Sequence, residues 1–300
     1  MPQHHHPHQN LDTGDKRVVA AVFVNFLLTI VQIIAGVISG SLALIADAIH
    51  NLSDALSLVI AFAARRIARR PADAEMTFGY KRAEVVAALV NYTTLIVVAF
   101  YLAAEGVQRL LNPVAVEGWI VVVVAGVALL VDTITALLIF RLSKDSMNMR
   151  AAFVHNMADA LGSIAVIIAG TLILLYDWRL VDPIVTLGIS AYILWHAILG
   201  IKPVIRVLML GSPSAVSAAD VMRRLEDDPD VVDVHHMHLW MMGEHEASLD
   251  AHVVLRGFEQ LEDVKLRLKA MLEAEFAIQH SVFEFELPGT HRGEAHDIGS

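Results

Sequence analysis

Six apolar stretches decide what this chain can become. They run from Val18 to Ile38, Leu42 to Ile67, Ala83 to Leu111, Trp119 to Leu142, Arg150 to Tyr176 and Val181 to Leu210. Each reaches or exceeds the ~20 residues a helix needs to cross a bilayer. In lipid every backbone N–H and C=O must be bonded within its own segment, so such stretches become helices. The links are short: Gly40-Ser41 joins the first two, and Asn112-Pro113 closes the third. Short links make neighbouring helices antiparallel. The expectation is an α-helical membrane protein with six transmembrane helices over residues 17–211.

Loop charges orient the bundle. One side holds Lys16, Arg17, Arg65, Arg66, Arg69, Arg70, Lys81, Arg82, Arg141, Lys144, Arg150, Lys202 and Arg206. The other holds only Arg109 and Arg179. Cytoplasmic loops collect Lys and Arg, which places both termini in the cytoplasm.

After Gly211-Ser212-Pro213 the composition changes. Residues 1–211 carry 15 Lys/Arg against 14 Asp/Glu, whereas residues 212–300 carry 7 against 18. Such an acidic region excludes a nucleic-acid partner, because phosphate binding needs Lys and Arg. It suits a cation-handling surface, or simple solubility. The pattern over residues 212–288 reads αββαβ: a helix from Ser214 to Leu225 with Asp220 and Arg224 spaced for an i,i+4 pair, strands from Val231 to Met242 and Ala247 to Leu255, a helix from Leu261 to Phe276, and a strand from Ser281 to Leu287. This is a small cytoplasmic α+β domain whose uncovered sheet face can pair with a second copy. Residues 289–300 read as a loose tail. The chain has no cysteine, so disulfides, thiolate ligands and Cys nucleophiles are excluded. Residues 1–16 form a polar cytoplasmic tail with His4, His5, His6 and His8. It either gathers metal or is dispensable.

The chemistry sits inside the apolar runs. His50 and Asp54 on the second, and His155 and Asp159 on the fifth, repeat one His-x-x-x-Asp spacing. An i,i+4 pair shares one helix face. Ionisable groups in a bilayer are costly and mark ion pathways. Two imidazoles and two carboxylates complete a four-coordinate shell for a divalent metal, Zn²⁺ in particular. Asp47, one turn before His50, either lines the pathway or holds a helix contact. Asn51 and Asn156 follow the two His residues as matched supporting or packing groups. Asn25 and Gln32 read as bundle packing, Asp132 as a proton-relay or lining residue, and His196 as a lone His. Taken literally, the helix limits set the two motifs at different depths, an offset that tilt can absorb. There is no His-Glu-x-x-His, no Gly-x-Ser-x-Gly and no phosphate loop, so an enzyme is not expected.

Ser41-Leu-Ala-Leu-Ile-Ala-Asp-Ala-Ile-His50-Asn-Leu-Ser-Asp54, Thr77-Phe-Gly-Tyr-Lys-Arg-Ala-Glu84 and Arg150-Ala-Ala-Phe-Val-His155-Asn-Met-Ala-Asp159 resemble the second span, the following loop and the fifth span of the cation diffusion facilitator family. Val234-His235-His-Met-His238-Leu-Trp240 and His280-Ser-Val-Phe-Glu-Phe-Glu286 resemble its cytoplasmic domain. Within the family, the likeness is to bacterial zinc exporters related to cobalt–zinc–cadmium resistance proteins. The resemblance implies a homodimeric, proton-coupled antiporter of the bacterial inner membrane. It exports Zn²⁺, with Cd²⁺ and Co²⁺ as further cargo, by alternating access. It implies a ferredoxin- or metallochaperone-like cytoplasmic domain, Zn²⁺ as transported substrate and regulatory ligand, and protons as counter-substrate. The alternatives are a membrane metal sensor and a passive divalent-cation channel.

The resemblance carries His50, Asp54, His155 and Asp159 over as the transport site. Asp73 matches one ligand of a loop site in some relatives, but Met76 and Tyr80 stand where that site's two His residues fall. The short segment Ser143 to Asn148 leaves no room for the long His-rich loop of other relatives. In the cytoplasmic domain His235 and His252 match metal-binding positions, while Lys265 replaces a third His. His238, Glu284 and Glu286 lie on strands that can converge with them. Two readings stand there: a metal site, or a polar sheet face turned to the partner domain. His236, His245 and His280 are weaker candidates.

Overall fold

The computed structural model describes residues 12–140, 147–243 and 246–289. Six long helices come first: α1 Asp12–Ser39, α2 Leu42–Ala68, α3 Ala83–Leu111, α4 Gly118–Phe140, α5 Met147–Tyr176 and α6 Val181–Leu208. They are followed by α7 Ala218–Glu226, β1 Val231–Met241, β2 Ala247–Leu255, α8 Leu261–Phe276 and β3 Ile278–Glu286. Five helices, α2 to α6, are long and apolar enough to cross a membrane. α1 adds the shorter described apolar stretch Phe26–Ser39. Large apolar side chains such as Val37, Phe62, Leu137, Leu161 and Trp195 stay exposed on these helices. In a water-soluble protein so much exposed apolar surface would drive aggregation; against lipid it is the expected outer face.

The chain divides into two compact units. One comprises residues 1–59 and 93–198, the other residues 60–92 and 199–300. In the first unit the α1–α2 link is fixed at several points. Gly40 turns the chain at φ 73°, and a Cβ there would stand 2.8 Å from the Ala115 carbonyl oxygen. Arg109 donates from Nη1 to the Gly40 carbonyl at 2.6 Å. Asp182, at the start of α6 and 1% exposed, accepts from the Ser41 hydroxyl (2.5 Å) and from the backbone N–H groups of Leu42 (2.8 Å) and Ala43 (3.3 Å). A carboxylate there satisfies donors that the first turn of α2 leaves unbonded and complements the helix dipole. α4 and α5 approach closely because Gly170 has no side chain; a Cβ there would come within 2.9 Å of Val121.

In the second unit, β1 pairs antiparallel with β2, and β2 pairs parallel with β3, giving the order β1-β2-β3. A parallel pair needs a crossover, and α8 supplies it. Leu249, Ala251 and Val253 turn to one face of β2 and bury against Val264, Leu268 and Leu272 of α8 and Val221 and Leu225 of α7. Ser217 caps α7, its hydroxyl accepting from the Asp220 N–H. The i,i+4 pair expected on α7 does not form: Asp220 pairs with Arg223 one residue nearer, and Arg224 forks onto Glu275 of α8 at 2.9 Å. β3 begins at Ile278, three residues before the Ser281 expected from alternation, because Ala277 ends α8 in the left-handed conformation (φ 56°) and turns the chain directly into the strand.

Candidate metal centres

α2 and α5 meet at the repeated motif. His50 Nε2 lies 3.5 Å from Asp159 Oδ1, with the two side chains 13% and 10% exposed. Ligand atoms on a tetrahedral zinc shell, each ~2.0–2.1 Å from the metal, stand roughly 3.3 Å apart. The His50–Asp159 spacing therefore fits two corners of such a shell. The depth offset suggested by the loop positions does not keep these two residues apart. Asp54 and His155 stand one helical turn from them on the same two helices; their side chains lie outside the described residues.

Around this pair lies a set of buried polar groups. Asp47 is 3% exposed and accepts a 2.9 Å hydrogen bond from Gln32 Nε2. Gln32, expected to pack the bundle, thus ties α1 to α2 through a carboxylate. Asp47 also abuts α5, where a Cβ on Gly162 would stand 3.2 Å from its Oδ1. Asp132 of α4 is 4% exposed and accepts from the Ser163 hydroxyl at 3.4 Å. Asn51 is buried on α2. The side chains of Asn25 and Asn156 lie outside the described residues. Tyr192 sets its ring edge-on to His50, with centroids 5.9 Å apart, and stacks on His196 at 6.4 Å. His196, unremarkable as a lone His, joins this group through an aromatic residue one turn away on α6.

The second concentration of ligand atoms is on the sheet. His235 and His252 face each other across β1 and β2, and Glu284 and Glu286 follow on β3. His252 Nδ1 is 2.7 Å from Glu286 Oε1, and His252 Nε2 is 3.4 Å from Glu284 Oε2. His235 Nε2 is 3.7 Å from Glu286 Oε2. One ligand atom each from His235, His252 and Glu286 lies within 4.8 Å of the others. His238 turns instead to Asp250 at 2.9 Å. His236 takes a left-handed backbone (φ 50°) at a break in register between His235 and His238. That bulge brings its ring to 5.0 Å from both His238 and His252. Strict alternation sends neighbouring side chains to opposite faces, so the sequence pattern could not place His236 here. His280 of β3 stands in register with Ser248 of β2. His245 and the N-terminal His4, His5, His6 and His8 lie outside the described residues.

Asp73 does different work. It accepts from the Glu75 and Met76 N–H groups (2.9 and 2.8 Å) and from the Tyr80 hydroxyl (2.7 Å). The Tyr80 hydrogen bond is the main cause holding its carboxyl below the usual range, and the same bond raises the Tyr80 phenol. Here the residues that replace the loop-site His positions make a closed turn. Lys265 pairs with Glu262 on its own helix.

Membrane-length helices, an intramembrane His–Asp contact and a His/Glu cluster on a small α+β domain define a polytopic membrane protein that handles cations. Sequence comparison agrees. A family model for the cation efflux transmembrane domain matches residues 18–209, and one for the cation efflux protein cytoplasmic domain matches residues 213–286. The chain belongs to the cation efflux family, the cation diffusion facilitators. It is 34% identical to the zinc transporter ZitB of Pectobacterium atrosepticum, over 94% of this chain and 88% of that one. It is 34% identical to the metal cation efflux system protein CzcD of Cupriavidus metallidurans, over 97% and 92%. A cadmium, cobalt and zinc/H(+)-K(+) antiporter of Bacillus subtilis is 31% identical, over 83% and 81%. A solved metal-bound C-terminal domain of the CzcD transporter matches 24% of this chain and all of that one, at 34% identity and a TM-score of 0.23.

Proposed function

We propose that this chain exports Zn²⁺ from the cytoplasm in exchange for protons, by alternating access, with Cd²⁺ and Co²⁺ as further cargo. The observation that carries the reading is the 3.5 Å approach of His50 to Asp159, which joins one half of each repeated motif. In this reading Asp54 and His155 complete the shell. Two carboxylates offset the charge of Zn²⁺ away from water, and two imidazoles supply the nitrogen ligands. Metal needs ionised Asp and neutral His, so binding releases protons. On the outward side, protons compete for the same groups and expel the metal. The names of the relatives, a zinc transporter and a cadmium, cobalt and zinc/H(+)-K(+) antiporter among them, support the cargo and the exchange.

The surrounding assignments belong to the same proposal. Residues 17–211 form the membrane domain of a bacterial inner-membrane protein with cytoplasmic termini. Residues 212–288 form a cytoplasmic domain that joins a second copy, with residues 1–16 and 289–300 as tails. A second reading, metal sensing, rests on the cluster of His235, His252 and Glu286, with Glu284 beside it. The two readings are compatible if the sheet senses cytosolic metal and the bundle moves it.

Proteoliposomes with an imposed pH gradient test both. His50→Ala and Asp159→Ala should abolish Zn²⁺ flux, whereas His252→Ala should leave flux and weaken Zn²⁺ binding in equilibrium dialysis. Near-normal flux in both membrane variants would sink the transport site. Flux indifferent to the gradient would make the protein a channel.

A further inference from the structure

The second compact unit holds a cleft of about 1100 Å³ that the His235–His252–Glu286 cluster does not line, although His238, turned away to Asp250, does. Its walls come from α2 (Ile60, Ala64), α3 (Val86) and β1 (Leu239, Trp240). The volume exceeds the ~300–1,000 Å³ of ordinary small-molecule pockets. Two cations, Lys81 and Arg82, share the lining with these apolar groups. Lys81 pairs with Glu246, and Arg82 donates from Nη2 to the Met241 carbonyl at 3.3 Å. A guanidinium carries five N–H donors, so one carbonyl leaves Arg82 capacity for a phosphate. Asp250, also on the lining, is already engaged by His238.

Three features fix the chemistry of the occupant. First, α2 and α3 are long and apolar enough to span a membrane, and Ile60, Ala64 and Val86 put their apolar side chains on the cleft wall, where an acyl chain can pack. Second, the segment of residues 60–92 is basic within an acidic chain. It carries Arg65, Arg66, Arg69, Arg70, Lys81 and Arg82 against Asp73, Glu75 and Glu84, while the whole protein is at −10. Basic pockets beside membrane helices suit anionic headgroups. Third, Lys81 and Arg82 share one lining with Ile60, Ala64, Val86 and Trp240, so a single occupant must offer an anionic head and an apolar tail together. A water-soluble anion would gain nothing from the apolar walls.

We propose that this cleft binds one anionic phospholipid, with its phosphate at Arg82 and Lys81 and an acyl chain reaching Trp240. Trp240 lies on β1 of the small α+β domain, where bilayer lipid would not otherwise reach it.

The test uses the full-length protein with Trp119, Trp178 and Trp195 replaced by Phe, leaving Trp240 as the only tryptophan. It is reconstituted in phosphatidylcholine vesicles with a minor fraction of phosphatidylglycerol, and either lipid carries bromine on its acyl chains. Brominated phosphatidylglycerol should quench Trp240 several-fold more per molecule than brominated phosphatidylcholine. Arg82→Ala should weaken the phosphatidylglycerol titration about fivefold, the effect of one surface cation, and Arg82→Lys should restore most of it. If Arg82→Ala does not fold, added salt acting on the parent protein gives the same discrimination. Equal quenching by both lipids, no quenching, or a titration indifferent to both Arg82 and salt would overturn the proposal. So would quenching that follows protein density in the membrane rather than lipid charge, which assigns the cleft to a second copy. Metal flux is no part of the readout, so failure here leaves the transport reading untouched.

Discussion

At the scale of the residue, Asp182 does work that no local motif announces. Its carboxylate takes three donors at the start of α2, the helix that carries His50. Hydrogen bonds to a charged group contribute about 1.5–3 kcal/mol, and a buried site raises the stake. Asp182→Ala should therefore lower the thermal midpoint of the detergent-solubilised protein and reduce Zn²⁺ flux by loosening α2. Asp182→Asn, which keeps an acceptor but loses the charge, should fall between the two. An unchanged midpoint for Asp182→Ala would show that water replaces the cap. The partner backbone lies about 140 residues away, and that is why the sequence is silent here. His50 and Asp159 stood out because their spacing is local and their charge conflicts with the apolar run. Asp182 conflicts less, at the end of a span, so nothing in the pattern singled it out.

At the scale of the element, helix and strand limits were largely legible, because periodicity is a property of the segment itself. α3, β2 and α8 have the ends expected from the apolar pattern. What the pattern missed are departures from regular geometry: the bulge at His236 and the left-handed Ala277 that starts β3 early. Both depend on what the chain packs against. Ion pairs between elements were equally hidden. Arg267 of α8 grips the turn before β1, at 2.9 Å from Asp228 and 2.6 Å from Asp230. Its hydrogen bonds are the first cause holding the Asp228 carboxyl below its usual value of 3.8. A carboxylate depressed by folding contributes stability above its unfolded value and loses it as pH falls through the folded one. Arg267→Met should thus destabilise the domain modestly near neutral pH, because the pair is exposed and screened by water. The difference from the parent should shrink as acid takes the pH through and below 3.8. Denaturation followed at Trp240 at several pH values, with Trp119, Trp178 and Trp195 replaced by Phe, measures it, and a pH-independent difference would point to lost side-chain packing instead.

At the scale of the whole molecule, the proposed export depends on orientation, and one charge asymmetry bears on it. Thirteen Lys and Arg residues fall on one side of the six spans and two, Arg109 and Arg179, on the other. If the rich side is cytoplasmic, the acidic domain and its His235–His252–Glu286 cluster face cytosolic metal, and export follows from the order of binding. Reversed, the same site would import and the cluster would face outside. The chain settles this cheaply because it contains no cysteine. Asn112→Cys and Asp177→Cys sit in the links after α3 and α5, and Ser212→Cys follows α6. Asp177 is held below the usual carboxylate range by its own hydrogen bonds from Arg179, an exposed pair whose loss should not disturb the spans. In intact cells a membrane-impermeant maleimide should label the first two and spare Ser212→Cys until the membrane is opened. The reverse pattern would invert the protein. Labelling of Asn112→Cys but not Asp177→Cys would remove one span between them and overturn the antiparallel six-helix order, because two helices separate those links.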